Sequence, residues 1–514
     1  MLWIRPLLLT LQLMGLSVLV AATIGIPLAF LISLVSRRSI TGNGILRYCV
    51  FSMVACLATP MILHAAAWEA TAGKFGWLTF SQTAARTYTG FAGQYGGLVA
   101  CVWIHGLYGA AMVALATWFG TTRVAPDVID QSRFDGGPIW SWWMIRLPIA
   151  APWVSTGLLA TAILAATEMT VVDLYGVRTL ADEFYLFHAA EPSITSIMMV
   201  LVLPCVLAIA LITMLFFSRH RRFDVRLIDT GELRGPDSAI TTTTGKAAHR
   251  CAGVCAVLIA TLMFAFPLAG LVMKTGQQVT VSTERDAGAT IVWSAKHAFE
   301  MLASAPAEFS REYLWTAALA GLTSLICLPL GWVTASLTRL RPSAARWIDI
   351  GSLVIFLIPG PIVGLVTIHL FTLPVPGFHE LYHDSLVPTV FALMVRALPV
   401  SYWIIRAGYS GLDSAILDLS KMDLSWWRRM WLVDRALLVR PLMIAGFCSA
   451  VMASGDVPAT LPVLPPEVVT VGTRLFALLH SGARNQEASL AFWYVGSIVI
   501  VAVAISYRWK LADR

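Results

Sequence analysis

Few residues in this chain could do chemistry, and most of them lie inside or beside long apolar runs. His64, Glu69, His105, Glu168 and Asp456 are the ionisable groups that attract attention there. Ionisable side chains in apolar segments are costly and functional by default. His64, Glu69 and His105 could be imagined around a metal ion, but they share no ligand spacing, and no metal site is expected. Glu168 and Asp456 each follow a charged loop by 38 positions and stand toward the outer end of the next apolar run. Two roles are open to them: capping of helix or loop backbone, and a place on a translocation path. No nucleophile–base set and no G-x-x-x-x-G-K-[ST] loop is present, since Gly245-Lys246 is followed by Ala247. The chain is therefore expected to be neither an enzyme nor an ATPase, with no catalytic residue and no cofactor. Cys251 and Cys255 have one-turn helical spacing and read as packed helix residues, and no disulfide framework is visible.

The elements that hold these groups are membrane spans. The 514 residues are 58% hydrophobic and only 13% charged, with a mean hydropathy of +0.75. Soluble domains carry about 25% charged residues. Apolar runs long enough to cross a bilayer fall near 8–35, 46–69, 96–119, 150–172 and 193–217. After a polar linker, six more follow near 252–273, 313–337, 348–371, 386–408, 441–461 and 489–507. The expected fold is all-α and polytopic, with about eleven spans arranged five plus six. Its parts are a first half (1–218), a linker (219–250) and a second half (251–514). Prolines 27, 60, 204, 329, 359, 361 and 399 fall inside spans, where neighbouring helices can satisfy the freed backbone groups. The first run is longer than the apolar region of a signal peptide and is read as a retained span.

Basic residues place the loops. Arg37, Arg38 and Arg47, then Arg219, Arg221, Arg222 and Arg226, then Arg339, Arg341 and Arg346, and finally Arg508, Lys510 and Arg514 all fall on one side of an eleven-span chain. That side is expected to be cytoplasmic, C-terminus included. The net charge of +7 is thus a topology signal and not a nucleic-acid patch. Acidic loops, with Asp182, Glu183, Glu380 and Asp384, fall on the other side.

One polar loop on the basic side stands out, Arg123 to Pro152. It opens on Pro126 and Asp127, breaks at Gly136-Gly137-Pro138, and resumes as an aromatic run ending at Leu147-Pro148. Those signals predict two short helices at an angle, amphipathic and lying at the membrane surface. The chain also repeats itself. Ile26-Pro27-Leu28-Ala29 matches Leu328-Pro329-Leu330-Gly331, and Asp130 to Asp135 matches Asp418 to Asp423 at an offset of 288. At that offset Glu168 falls on Asp456.

The loop resembles the coupling loop of ABC-transporter permeases, whose pattern is roughly E-A-A-x-x-x-G, about nine residues, then I-x-L-P. Asp130, Gln131 and Ser132 stand at the E-A-A positions, Asp135 precedes Gly136 at the glycine, and Leu147 and Pro148 close the pattern one residue early. In the second copy Asp418 and Asp423 are kept, but Leu424 replaces the glycine and the closing Leu-Pro is missing. Gly455-Asp456-Val457-Pro458-Ala459-Thr460-Leu461 is similar to an E-L-P-A-T-L stretch of the ferric-iron-type permeases, a pattern shared with thiamine and polyamine permeases. The resemblance implies a fused pair of pseudo-symmetric permease halves of the type-I importer kind. It implies residence in a prokaryotic inner membrane, a cytoplasmic ABC ATPase dimer docked on the loops, and an extracytoplasmic solute-binding protein, with iron(III) among the solutes. A secondary transporter driven by an ion gradient is the rival reading. Internal repeats fit it too, although they often invert there, whereas both copies of this loop fall on one side.

Overall fold

The computed structural model describes residues 3–35, 40–73, 91–189, 191–220, 243–280, 290–412, 424–481 and 484–512. They are overwhelmingly helical. Seven helices are long and apolar enough to cross a membrane, and four bent helix pairs raise the number to eleven if each pair is one span. The chain is an all-α polytopic membrane protein in this sense, and its apolar helices call for a lipid bilayer as solvent. Of the expected linker, 219–250, residues 221–242 lie outside the described residues, while 219 and 220 end the helix Ile194–His220 and 243–250 open the helix Thr243–Met263.

Three expected spans are not straight. The run near 46–69 breaks at Thr59-Pro60, into helices Ile40–Ala58 and Met61–Ala72. The run near 348–371 breaks before Pro359, into Pro342–Leu357 and Gly360–Phe371, with a bend of 100°. The run near 252–273 bends by 47° after Met263. Pro27, Pro204, Pro329 and Pro399 instead sit within continuous helices. Proline removes one backbone donor in every case, so sequence alone does not separate a tolerated proline from a break.

The chain divides into two compact units. The first comprises residues 1–57, 67–183 and 202–270, and the second 58–66, 184–201 and 271–514. In the first unit the helix Ile4–Leu34 packs along Phe91–Thr122 and Ala151–Thr167, and also against Thr243–Met263. Close approach depends on small residues: a methyl group on Gly25 would meet the Ala110 carbonyl at 2.7 Å, and one on Gly109 would meet Thr161. Such contacts are what drive helix association where lipid is as apolar as the side chains. In the second unit Ser310–Leu340 packs with Val387–Ser410 and Val439–Gly455. Trp332, Tyr402, Ile405, Tyr409, Met430 and Leu438 form the buried cluster between them.

The segment 274–312, expected as a loop with helical pieces, holds the helix Ala295–Glu308 and also a hairpin. Gln277–Thr280 pairs antiparallel with Thr290–Trp293, the one sheet among the described residues. Lys274 and Glu487, both buried, form an ion pair at its base. The Asn485 amide donates to the Gln277 carbonyl at 2.9 Å and lies 3.0 Å from His297 Nε2.

Candidate functional site

The first polar loop has the predicted form. Pro126 opens the helix with Asp127 in its first turn, and the chain kinks at Gly137, whose φ of 78° lies in the left-handed region. A π-helical turn follows at Trp142–Arg146, then Leu147–Ile149, and the next helix, Ala151–Thr167, leaves at 70°. Gly136 has a steric role of its own: a methyl group there would meet the Trp140 ring at 2.5 Å. Trp142 is fully buried and packs edge-on against Phe30 at 5.0 Å. At the loop's ends Arg123 lies over the rings of Phe119 and Trp153, at 4.1 and 5.0 Å.

Asp130, Gln131, Asp135, Gly136 and Pro148 are exposed, and Leu147 is half-buried. Ser132 is buried instead, bonded to the Ser141 hydroxyl and donating to the Ile129 carbonyl at 2.8 Å. It staples the two short helices together. The exposed face is apolar as well as acidic, with Phe134 85% exposed beside exposed Val128, Ile139 and Met144. Exposed apolar patches of this kind mark interaction surfaces.

The second loop is described from Leu424 onward, and Asp418 and Asp423 lie outside the described residues. It has the same closing turn. A π-helical stretch at Met430–Asp434 stands 288 positions after Trp142–Arg146, and the helix Val439–Gly455 leaves at 87°. The chemistry that holds it differs. Arg429 Nε lies 3.7 Å from Asp434, both buried. Tyr409 donates to Asp434 at 2.8 Å and accepts from the Trp332 indole at 3.1 Å. The Trp426 indole donates to Ser336 at 2.9 Å.

Glu168 and Asp456 both cap backbone, and each also faces a base. Glu168 ends the helix Ala151–Thr167. Its carboxylate accepts from the Thr170 amide at 2.6 Å and the Val171 amide at 3.0 Å. His105 Nε2 stands 3.5 Å away, and its Nδ1 is 2.8 Å from the Cys101 carbonyl, both on the preceding span. Asp456 ends the helix Val439–Gly455 and accepts from the Ala459 amide at 3.1 Å. Its other oxygen accepts from Arg396 Nε at 2.9 Å. The same guanidinium donates to the carbonyls of Phe356 and Ile358, at 3.1 and 2.8 Å. Those carbonyls lie at the 100° break, where a helix end leaves acceptors without intrahelical partners. One arginine thus ties two helix breaks together in the second unit.

Arg396 carried no signal in sequence beyond its place in an apolar run, and that place is what could have found it. His105 faces a carboxylate, and no group of three metal-ligating side chains exists among the described residues.

Past Glu168 lies a second acidic contact. Asp182 is fully buried on the short helix Leu180–Phe187, 3.2 Å from the Arg178 guanidinium. Burial, with Asp173 nearby, pushes its carboxyl up from 3.8 to about 7, against the pull of Arg178. No protein-family model matches the chain, and no curated protein matches it at a significant level.

Proposed function

We propose that this chain is the fused permease subunit of an ATP-driven ABC importer for a small solute, iron(III) being one class that fits. The observation that carries the reading is the recurrence of one device. In each unit a surface loop ends in a π-helical turn and bends sharply into a span, and a carboxylate 22 positions after the π-turn ends that span. A loop that caps a span at a steep angle can pass a push from a docked subunit into that span, and a rigid helix is what such a push requires. In this reading the two halves are pseudo-symmetric. The loops face the cytoplasm and dock on an ABC ATPase dimer through faces such as Phe134 and Met144. A solute-binding protein delivers cargo on the opposite side of a prokaryotic inner membrane, and the C-terminus is cytoplasmic. Asp130, Gln131, Asp135, Gly136, Leu147 and Pro148 belong to the docking segment. Glu168 and Asp456 stand beside the translocation path, where His105 and Arg396 hold them in place.

The test is capture of the tagged chain from its native membrane, followed by mass spectrometry of its companions. Recovery of an ATPase with a phosphate-binding loop supports the reading, and a co-purified binding protein is then screened against Fe(III), thiamine and polyamines. Recovery of the chain alone, even after crosslinking through the 123–148 loop, overturns it. An ion-gradient transporter is the second reading. The pairs His105–Glu168 and Arg396–Asp456, set in apolar helices and at their ends, favour it, because such groups carry coupling ions in secondary transporters. Uptake that survives loss of every candidate ATPase but collapses with the ion gradient selects this second reading.

A further inference from the structure

The short helix Phe378–Asp384 of the second unit carries a pattern that the transport reading does not use. Its middle reads His379-Glu380-Leu381-Tyr382-His383, with two histidines four positions apart. Residues at i and i+4 share one helix face. Here the two imidazole rings meet edge to face, their centroids 4.4 Å apart. Both side chains are exposed, as are Glu380 and Asp384. This is one of the acidic loops that the charge pattern sets opposite the basic side.

The helix has only seven residues, yet it is held at both ends. Gly377, with a φ of 86°, takes the left-handed turn that starts it, and the Gly377 carbonyl accepts from the Leu381 amide at 3.0 Å. The Phe378 ring lies 5.5 Å from that of Phe371, which is buried and 6.0 Å from Phe391. At the far end the Ser385 hydroxyl donates to the Leu381 carbonyl and accepts from the Val387 amide at 3.2 Å. The backbone that spaces the two imidazoles is thus fixed before any ligand arrives, which is what a binding site needs.

The spacing points to the ligand. An imidazole nitrogen sits about 2.1 Å from a bound Zn²⁺, and its ring centre lies about 1.1 Å farther out. Two imidazoles on one ion, at an angle between square and tetrahedral, therefore have centres about 4.5–5.2 Å apart. The observed 4.4 Å is a small side-chain rotation from that range. Imidazole suits Cu²⁺, Zn²⁺ and Ni²⁺, whereas Mg²⁺ and Ca²⁺ call for oxygen ligands. The stretch also matches H-E-x-x-H, in which two histidines hold zinc and the glutamate acts as a base. A hydrolytic centre of that kind needs a third protein ligand, and no group of three exists among the described residues. The helix offers chelation and not hydrolysis.

We propose that His379 and His383 form a two-histidine site for a divalent ion of the Cu²⁺, Zn²⁺ and Ni²⁺ class. Water completes the ion's shell, and Glu380 and Asp384 add negative charge beside it. Structural zinc sites close four protein ligands around the metal. This one leaves positions open, so its ion exchanges with the surrounding solution.

The test uses the full chain purified from native membranes with a histidine-free tag, stripped with EDTA and moved into metal-free detergent buffer. Cu²⁺ is titrated by electron paramagnetic resonance, and Zn²⁺ in competition with a chromophoric chelator. The tightest Cu²⁺ bound by the wild-type chain should show two nitrogen ligands. His379→Ala and His383→Ala should each weaken binding at least about tenfold, because one imidazole alone loses the chelate, and neither should show the two-nitrogen spectrum. His383→Cys should keep Zn²⁺, since a thiolate is also a zinc ligand. Excess Mg²⁺ should displace neither ion. Both histidines are exposed, so all three variants should unfold at the wild-type temperature. Alanine variants that bind as tightly as the wild type would overturn the proposal, as would a wild-type chain that binds no ion or shows one nitrogen. If one alanine variant fails to fold, the other and His383→Cys still decide the matter. The readout needs neither an ATPase nor uptake, so failure here leaves the importer reading untouched, and failure of that reading leaves this one standing.

Discussion

The two surface loops reach one shape by different chemistry. Both close on a π-helical turn, and the helices that follow leave at 70° and 87°. The first is held by shape: Gly137 supplies the kink, Gly136 lets Trp140 close down, Trp142 fills a hole against Phe30, and Ser132 meets Ser141. The second is held by charge. Positions 429 and 434 correspond to Ser141 and Arg146 of the first loop, and here they form the buried pair Arg429–Asp434, tied through Tyr409 to Trp332. The first loop turns Phe134, Ile139 and Met144 outward, whereas the second buries the pair Arg429–Asp434 at its turn. A loop wired into the bundle by a buried ionic network is an anchor. The difference suggests unequal work: in the importer reading the first loop transmits most of the push.

The largest expected effect is in the second loop. Asp434→Ala leaves Arg429 buried without its partner and should cost about 3–5 kcal/mol of stability. Replacing both together, Arg429→Met with Asp434→Leu, should recover most of that loss, as read by unfolding of the detergent-solubilised chain. Equal losses in the single and double variants would mean the pair does not hold the turn. Next comes the glycine of the first loop. Gly136→Val drives a side chain into Trp140 and should cost about 1–3 kcal/mol, with ATP-driven uptake falling with it. Adding Trp140→Ala should relieve the clash. Leu424→Val, at the matching position of the half-buried second loop, should change little. Comparable losses of uptake at Gly136 and Leu424 would remove the asymmetry.

A third contrast lies beyond the loops. Asp182 is buried in the first unit, whereas in the second the helix Val471–Ser481 carries Arg474, 3.6 Å from Glu312. With the Asp182 carboxyl pushed up to about 7 by burial, the folded chain holds its proton more tightly than the unfolded one. Stability should therefore be greatest below pH 3.8 on this account and fall as pH rises toward 7. Asp182→Asn should flatten that slope, and an unchanged slope would assign it elsewhere. The smallest stability effect is expected for Phe134→Ser, within about 0.5 kcal/mol because the ring is exposed. The same variant should nonetheless lose partner capture.

Much of this was legible in sequence. The Pro-Asp opening and the Gly-Gly-Pro break of the first loop were local signals with local causes. The offset of 288 put Glu168 on Asp456, and both turn out to end the helix after a loop. What escaped is non-local or unsigned. Arg396 meets Asp456 from 60 residues away, and no spacing rule joins them. The π-helical turns depend on i→i+5 bonding, which no residue pattern announces. The expected spans at 46–69 and 348–371 looked continuous because an apolar run reads alike whether straight or broken. The hairpin was within reach, since Val279-Thr280 and Thr290-Ile291-Val292 are β-branched runs.

The account turns on the first loop being the surface through which an ATPase acts. A photo-activatable residue placed at Phe134, and separately at Trp431, in native membranes tests that most directly, with the crosslinked partners identified by mass spectrometry. The account predicts an ATPase with a phosphate-binding loop at Phe134, captured several-fold more strongly than at Trp431. No ATPase at either position, from a chain that still takes up its solute, would contradict it.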